Sequence, residues 1–223
     1  MRILCYGDSN TWGYIPGVGT RYKKEERWTG ILESLTKAEV IEEGMCGRTT
    51  VFGDYVEPFC NGMKYIAPCV LSHVPLDDIV IMLGTNDSKR RYHVSAREIR
   101  YGMEEVILRI RETLARVNET ARIVIISPPQ IYPLADSEFD EFSREKVKKL
   151  QKEYQELAEL LGCSFLNSSE VVEQVGCDGI HQRKIIKSLQ RLWQKWCLQP
   201  RKIKTLGSFW CYDDKEVFTT NYH

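Results

Sequence analysis

Short apolar runs rich in Ile and Val alternate along the chain with longer stretches in which apolar residues recur every three or four positions. The runs, at residues 2–6, 39–41, 78–83, 122–126 and 164–166, are continuous rather than alternating, as in strands covered on both faces. The stretches between and after them predict helices at 28–35, 65–73, 96–117, 139–161 and 182–196. In the third of these, Ile99, Met103, Val106, Ile107 and Ile110 form one apolar stripe for packing on a sheet. Strands that alternate with amphipathic helices build βαβ units. The expected fold is therefore α/β, a three-layer α/β/α sandwich around a parallel sheet.

After Leu198 the pattern changes. Pro200 ends the last helix, a basic stretch occupies 201–204, and the aromatic run Phe209-Trp210-Cys211-Tyr212 faces Phe218 and Tyr222 across a turn at Asp213-Asp214. That layout predicts a hairpin, either patching the surface of the domain or docking as an arm on a neighbouring subunit. With 223 residues, one core is expected. The organisation is thus a catalytic-sized domain at 1–197 and a tail at 198–223.

Composition narrows the function classes. Lys plus Arg and Asp plus Glu both number 31, so no net field holds a polyanion, and nucleic acid is not an expected partner. Residues 1–6 run straight into Gly7-Asp8, leaving no room for the apolar core of a signal peptide, and no apolar run is long enough to cross a bilayer. The eight cysteines contain no C-x-x-C pair, so no zinc knuckle or dithiol redox motif is written. Reduced thiols in the cytoplasm are expected.

In an open parallel sheet, ligands bind beyond the carboxyl ends of the strands, so the loops after each strand belong together. They carry Gly7-Asp8-Ser9-Asn10-Thr11, Gly44-Met45-Cys46-Gly47-Arg48, Gly84-Thr85-Asn86-Asp87 and Cys177-Asp178-Gly179-Ile180-His181. A serine hydroxyl is a weak nucleophile that needs an imidazole to take its proton and a third group to fix the imidazole's tautomer. His181 is the best-placed of four histidines, because His73 ends an amphipathic helix, His93 lies in a basic loop and His223 is terminal. Asp178, three residues earlier with Gly179 between, can turn back onto the ring. Attack on an ester carbonyl also needs donors for the developing oxyanion. The Ser9 and Gly47 N–H groups and the Asn86 amide are candidates.

Each feature has a plainer explanation alone: a helix cap for Ser9, turn formers at Asn86 and Asp87, a loop ion pair between Asp178 and His181. Together, four strand-end loops present a nucleophile, oxyanion donors, and a base with its orienter.

These blocks resemble those of the GDSL family, also called SGNH hydrolases, whose letters fall here on Ser9, Gly47, Asn86 and His181. The resemblance covers roughly residues 1–196. Arg27-Trp28-Thr29-Gly30, Ile41-Glu42-Glu43-Gly44, Arg48-Thr49-Thr50 and residues 75–87 are similar to the bacterial arylesterase and acyltransferase branch. The resemblance implies a flavodoxin-like sandwich and hydrolysis of small esters, with acyl transfer to alcohols as a second outcome and homo-oligomers in some members. Carbohydrate O-deacetylase, lysophospholipase and thioesterase activities fit the same machinery. Asn10 stands where the family name has Leu, and the tail lies outside the resemblance. No metal or cofactor is called for by this mechanism. Trp12, Tyr14 and Trp28 are candidates for the walls of an acyl pocket, with a buried core position the better reading for Trp28.

Three rival assignments remain. An α/β-hydrolase elbow is disfavoured because Thr11 replaces the second glycine of G-x-S-x-G. A flavodoxin-like phosphate-binding module would use the 7–11 loop but leave Asp178-Gly179-Ile180-His181 without a purpose. A catalytically silent scaffold would use the aromatic tail for assembly.

Overall fold

Five parallel strands, β1 (Arg2–Gly7), β2 (Glu39–Gly44), β3 (Asp78–Met82), β4 (Arg122–Ile126) and β5 (Ser164–Leu166), make one sheet in the order β2-β1-β3-β4-β5. The structure is a computed structural model that describes residues 1–53, 55–135, 137–170 and 175–181. The helix expected at 182–196 and the hairpin expected within 198–223 lie outside the described residues.

Among the described residues five α-helices accompany the strands: α1 (Ser9–Trp12), α2 (Trp28–Thr36), α3 (Gly62–His73), α4 (Ala96–Arg116) and α5 (Glu141–Leu161). Their starts follow local capping chemistry. Asn61 accepts the Lys64 N–H, so α3 begins three residues before its apolar periodicity does. Ser95 accepts the Glu98 N–H while the Glu98 carboxylate takes the Ser95 N–H, a reciprocal box that opens α4. Asp140 accepts the Ser143 N–H, which sets the start of α5 at Glu141 rather than at Phe139.

Successive strand residues face opposite sides of the sheet, and the core divides accordingly. Leu4, Tyr6, Ile79, Ile81, Ile123 and Ile125 join Ile66 and Val70 of α3, Ile99, Met103 and Val106 of α4 and Leu150, Tyr154 and Leu157 of α5. Ile3, Cys5, Val80, Met82, Val124 and Ile126 pack with Trp28 and Leu32 of α2 on the other face. The expected three layers are present. β2 departs from the expectation of strands covered on both faces: it is an edge strand, and its Glu39, Glu42 and Glu43 reach partly or fully to solvent. Among the described residues, no helix is long and apolar enough to cross a membrane.

β1 has β2 on one side and β3 on the other, so the connections leaving β1 and β2 diverge at its carboxyl end. Gly7 is in register with both Gly44 and Met82, which brings the loops after β1, β2 and β3 together at one crevice.

Candidate active site

Asp8 follows β1 directly and caps α1, its Oδ1 accepting the Asn10 N–H at 2.9 Å. That cap turns the chain from strand to helix in one step and sets Ser9 at the first helical position. Ser9 is 6% exposed.

His181 arrives from the far end of the described chain. In the 175–181 loop the Gly176 N–H donates to the His181 carbonyl at 2.6 Å. Asp178 Oδ1 accepts the N–H groups of both Ile180 and His181 at 3.0 Å. The loop is fixed to the domain by the Tyr132 N–H, which donates to the Gly179 carbonyl at 2.7 Å, and by Ile180, buried with Ile131, Phe139 and Val147. Gly179 has φ +70°, and a Cβ there would lie 1.9 Å from the Tyr132 carbonyl oxygen, so only glycine fits the clamp.

Two contacts link the three side chains. His181 Nδ1 lies 2.6 Å from Asp178 Oδ2, and His181 Nε2 lies 2.8 Å from Ser9 Oγ. Burial pushes the Asp178 carboxyl up, but bonds from the His181 ring and from the Ile180 and His181 N–H groups outweigh it and hold the group below the ordinary carboxylate range. A carboxylate only accepts, so it fixes the proton on Nδ1. Nε2 is left with a lone pair for the Ser9 O–H.

Gly47 and Asn86 meet at Arg48. The Asn86 Nδ2 donates to the Arg48 carbonyl at 3.1 Å, which fixes the amide beside the residue that follows Gly47. The turn here uses the Met45 N–H, donated to the Gly7 carbonyl, and the Arg48 N–H, donated to the Met45 carbonyl, both at 3.1 Å. Gly47 stays outside those bonds at φ +80°, and a Cβ on it would lie 3.2 Å from the Glu57 carboxylate. The Arg48 guanidinium is buried, donating to the Gly7 and Glu43 carbonyls and lying 4.1 Å over the Tyr6 ring. It ties the ends of β1 and β2 together below the crevice.

Tyr14 lies against His181, the ring centroids 4.4 Å apart. Trp12 stands one ring further out, 6.5 Å from Tyr14, with the Arg21 guanidinium 5.5 Å over it. Trp28, the first residue of α2, is buried in the core with Ile3, Cys5, Leu32 and Val80.

Two buried carboxylates stand beside the site. Burial raises Asp8, and the Asn10 N–H, the Thr85 hydroxyl and the Arg48 charge only partly offset this. Asp87 is fully buried, accepts the Thr50 N–H and hydroxyl on Oδ1, and is pushed up to about 6 by burial, with Asp8 adding to the rise. Because Asp87 binds its proton more tightly folded than unfolded, stability falls as pH rises through the interval from about 4 to 6. At pH 8 its ionisation opposes folding by about 3 kcal/mol. Urea unfolding at pH 4.5 and 7.5 is expected to show wild type losing stability between the two, and Asp87→Asn losing distinctly less. Equal slopes would remove Asp87 as the cause.

One network has no local signal in the sequence. Lys89, 3% exposed, donates to Glu57 at 2.6 Å and pairs with Glu138 at 3.0 Å, and Arg91 binds the same two carboxylates. The network holds Glu57 against Gly47 through partners more than 30 residues apart in sequence. Only their shared place at the sheet's carboxyl edge could have suggested it.

The chain matches the GDSL-like lipase/acylhydrolase family over residues 5–182. No curated protein matches it. Among solved structures it is similar to Est24, a carbohydrate acetylesterase from Sinorhizobium meliloti, at 31% identity, covering 88% of this chain and 98% of that one, with a TM-score of 0.82. It is similar to the native M. smegmatis aryl esterase to the same degree: 31% identity, 88% and 98% coverage, TM-score 0.82.

Proposed function

The chain belongs to the GDSL-like lipase/acylhydrolase family, and on that premise we propose that it is a serine esterase of small acyl esters in which Ser9 is the nucleophile, His181 the general base and Asp178 its orienter. The observation that carries the proposal is the unbroken relay from Asp178 Oδ2 through the His181 ring to Ser9 Oγ, with contacts of 2.6 and 2.8 Å.

Ser9 Oγ attacks the ester carbonyl as His181 Nε2 takes its proton, and Asp178 stabilises the imidazolium. The oxyanion is held by the Ser9 and Gly47 N–H groups and by the second Asn86 amide hydrogen, donors worth about 3 kcal/mol each. The alcohol leaves with the proton from Nε2. Water, deprotonated by His181, then cleaves the acyl-enzyme and restores Ser9. An alcohol in place of water gives acyl transfer.

Tyr14 against His181, with Trp12 beyond it, favours a short acyl or aryl group over a long chain. The likeness to an aryl esterase and to a carbohydrate acetylesterase supports the same size class. Cytoplasmic residence belongs to the same proposal, supported by eight cysteines without the spacing of a disulfide framework.

A fluorophosphonate probe tests the proposal directly. Labelling of one serine per chain, mapped to Ser9, together with turnover of an aryl acetate or an acetylated sugar, is the expected result. A chain that neither labels nor turns over either ester is a scaffold.

A further inference from the structure

A second cluster of reactive side chains lies behind the β2 edge. Cys69 and His73 stand one turn apart on α3, on the same face, and Glu43 comes from the end of β2. Glu43 Oε1 lies 3.1 Å from His73 Nε2, and the Cys69 Sγ, the His73 nitrogen and the Glu43 oxygen all fall within 4.8 Å of one another.

We propose that Glu43, Cys69 and His73 bind a divalent cation of the zinc class. A tetrahedral ion with bonds of about 2.0–2.3 Å holds its ligand atoms roughly 3.3–3.7 Å apart. The Glu43–His73 pair is already near that spacing, and the thiol needs a shift of about 1 Å. A carboxylate, an imidazole and a thiolate form a borderline-soft set that selects zinc over magnesium or calcium. Cys69 is buried, whereas the Glu43 and His73 side chains are 21% and 25% exposed, which leaves a fourth position open to water.

A carboxylate–imidazole contact at the surface is by itself an ordinary ion pair worth about 1 kcal/mol at most. It gives no role to a buried thiol aligned with it one turn earlier. Burial, then Glu43, pushes the Cys69 thiol up to about 12, so it is protonated before metal arrives. Binding replaces S–H by S–M and releases one proton to solvent. Arg48, whose guanidinium lies 5.6 Å over Tyr65 beside the cluster, opposes the cation, and the carboxylate and thiolate charges together exceed it. The site is not needed for the ester chemistry, and its test is independent of that chemistry.

The reduced, chelator-treated full chain is titrated with Co²⁺. A thiolate-to-cobalt charge-transfer band saturating at one ion per chain, bleached by Zn²⁺ and accompanied by proton release, is expected. Cys69→Ser removes the band, and His73→Gln weakens binding at least about tenfold. Cys46→Ser and Cys177→Ser, at the two thiols exposed among the described residues, leave it unchanged. Absence of the band, its survival in Cys69→Ser, or its loss in Cys46→Ser or Cys177→Ser overturns the proposal. If Cys69→Ser fails to fold, His73→Gln decides: its side chain is partly solvated, and an unaltered titration there is equally fatal.

Discussion

Ser9→Ala is expected to lower kcat for a short-chain aryl ester by roughly four to six orders of magnitude, to little more than the contribution of binding and oxyanion donors. The relay loses the atom that forms the acyl bond, and no other hydroxyl contacts His181 Nε2 among the described residues. The fold should barely register the change. The cap of α1 is made by the Asp8 carboxylate and the Asn10 N–H, neither of which belongs to the Ser9 side chain, and alanine is a good first-turn residue. Stopped-flow turnover together with thermal melting separates the outcomes. An inactive variant that melts within a few degrees of wild type supports nucleophilic catalysis by Ser9. A variant that retains more than a few per cent of activity assigns the chemistry to another group.

The fold was legible because its strands are nearly all core. β1, β3 and β4 are buried on both faces and appear in the sequence as unbroken apolar runs, and the ends expected for β4 and β5 coincide with the observed ones. β2 was found three residues short, because an edge strand rich in glutamate carries only Val40 and Ile41 as its signal. Helix α1 was legible only as a helix cap at Ser9, whereas the cap is Asp8 and Ser9 is the first helical residue. Four residues are too few for periodicity, and its start is set by a single carboxylate cap.

The site was legible through chemistry more than through pattern. The proposed nucleophile, amide donors and base all lie in the connections that follow strands, and strand order alone brings the connections after β1, β2 and β3 to one edge. What could not be seen are the parts that hold these loops still. The buried guanidinium of Arg48, the Tyr132 clamp on Gly179 and the Lys89–Glu57–Glu138 bridge each join segments dozens of residues apart. Such pairs leave no trace in local spacing. Trp28 shows the converse: the core position favoured for it is where it lies, on the apolar face of α2.

Asp178→Asn probes the tautomer rather than the nucleophile, and its expected effect is a fall in kcat/KM of about 10⁴-fold, or about 5 kcal/mol. The two side chains are the same shape, and the Asn oxygen can still accept the Ile180 and His181 N–H groups that shape the loop. What changes is the atom facing the ring, because an amide NH₂ takes the place of Oδ2. Two donors cannot share one hydrogen bond, so the imidazole moves its proton to Nε2 and presents its lone pair to the amide. Nε2 then becomes a donor toward Ser9 and has no lone pair to receive the hydroxyl proton. Binding of substrate does not use this proton, so KM should hold while kcat collapses. A loss of less than about tenfold would mean that the 2.6 Å Asp178–His181 contact is structural and that the ring finds its working tautomer without it.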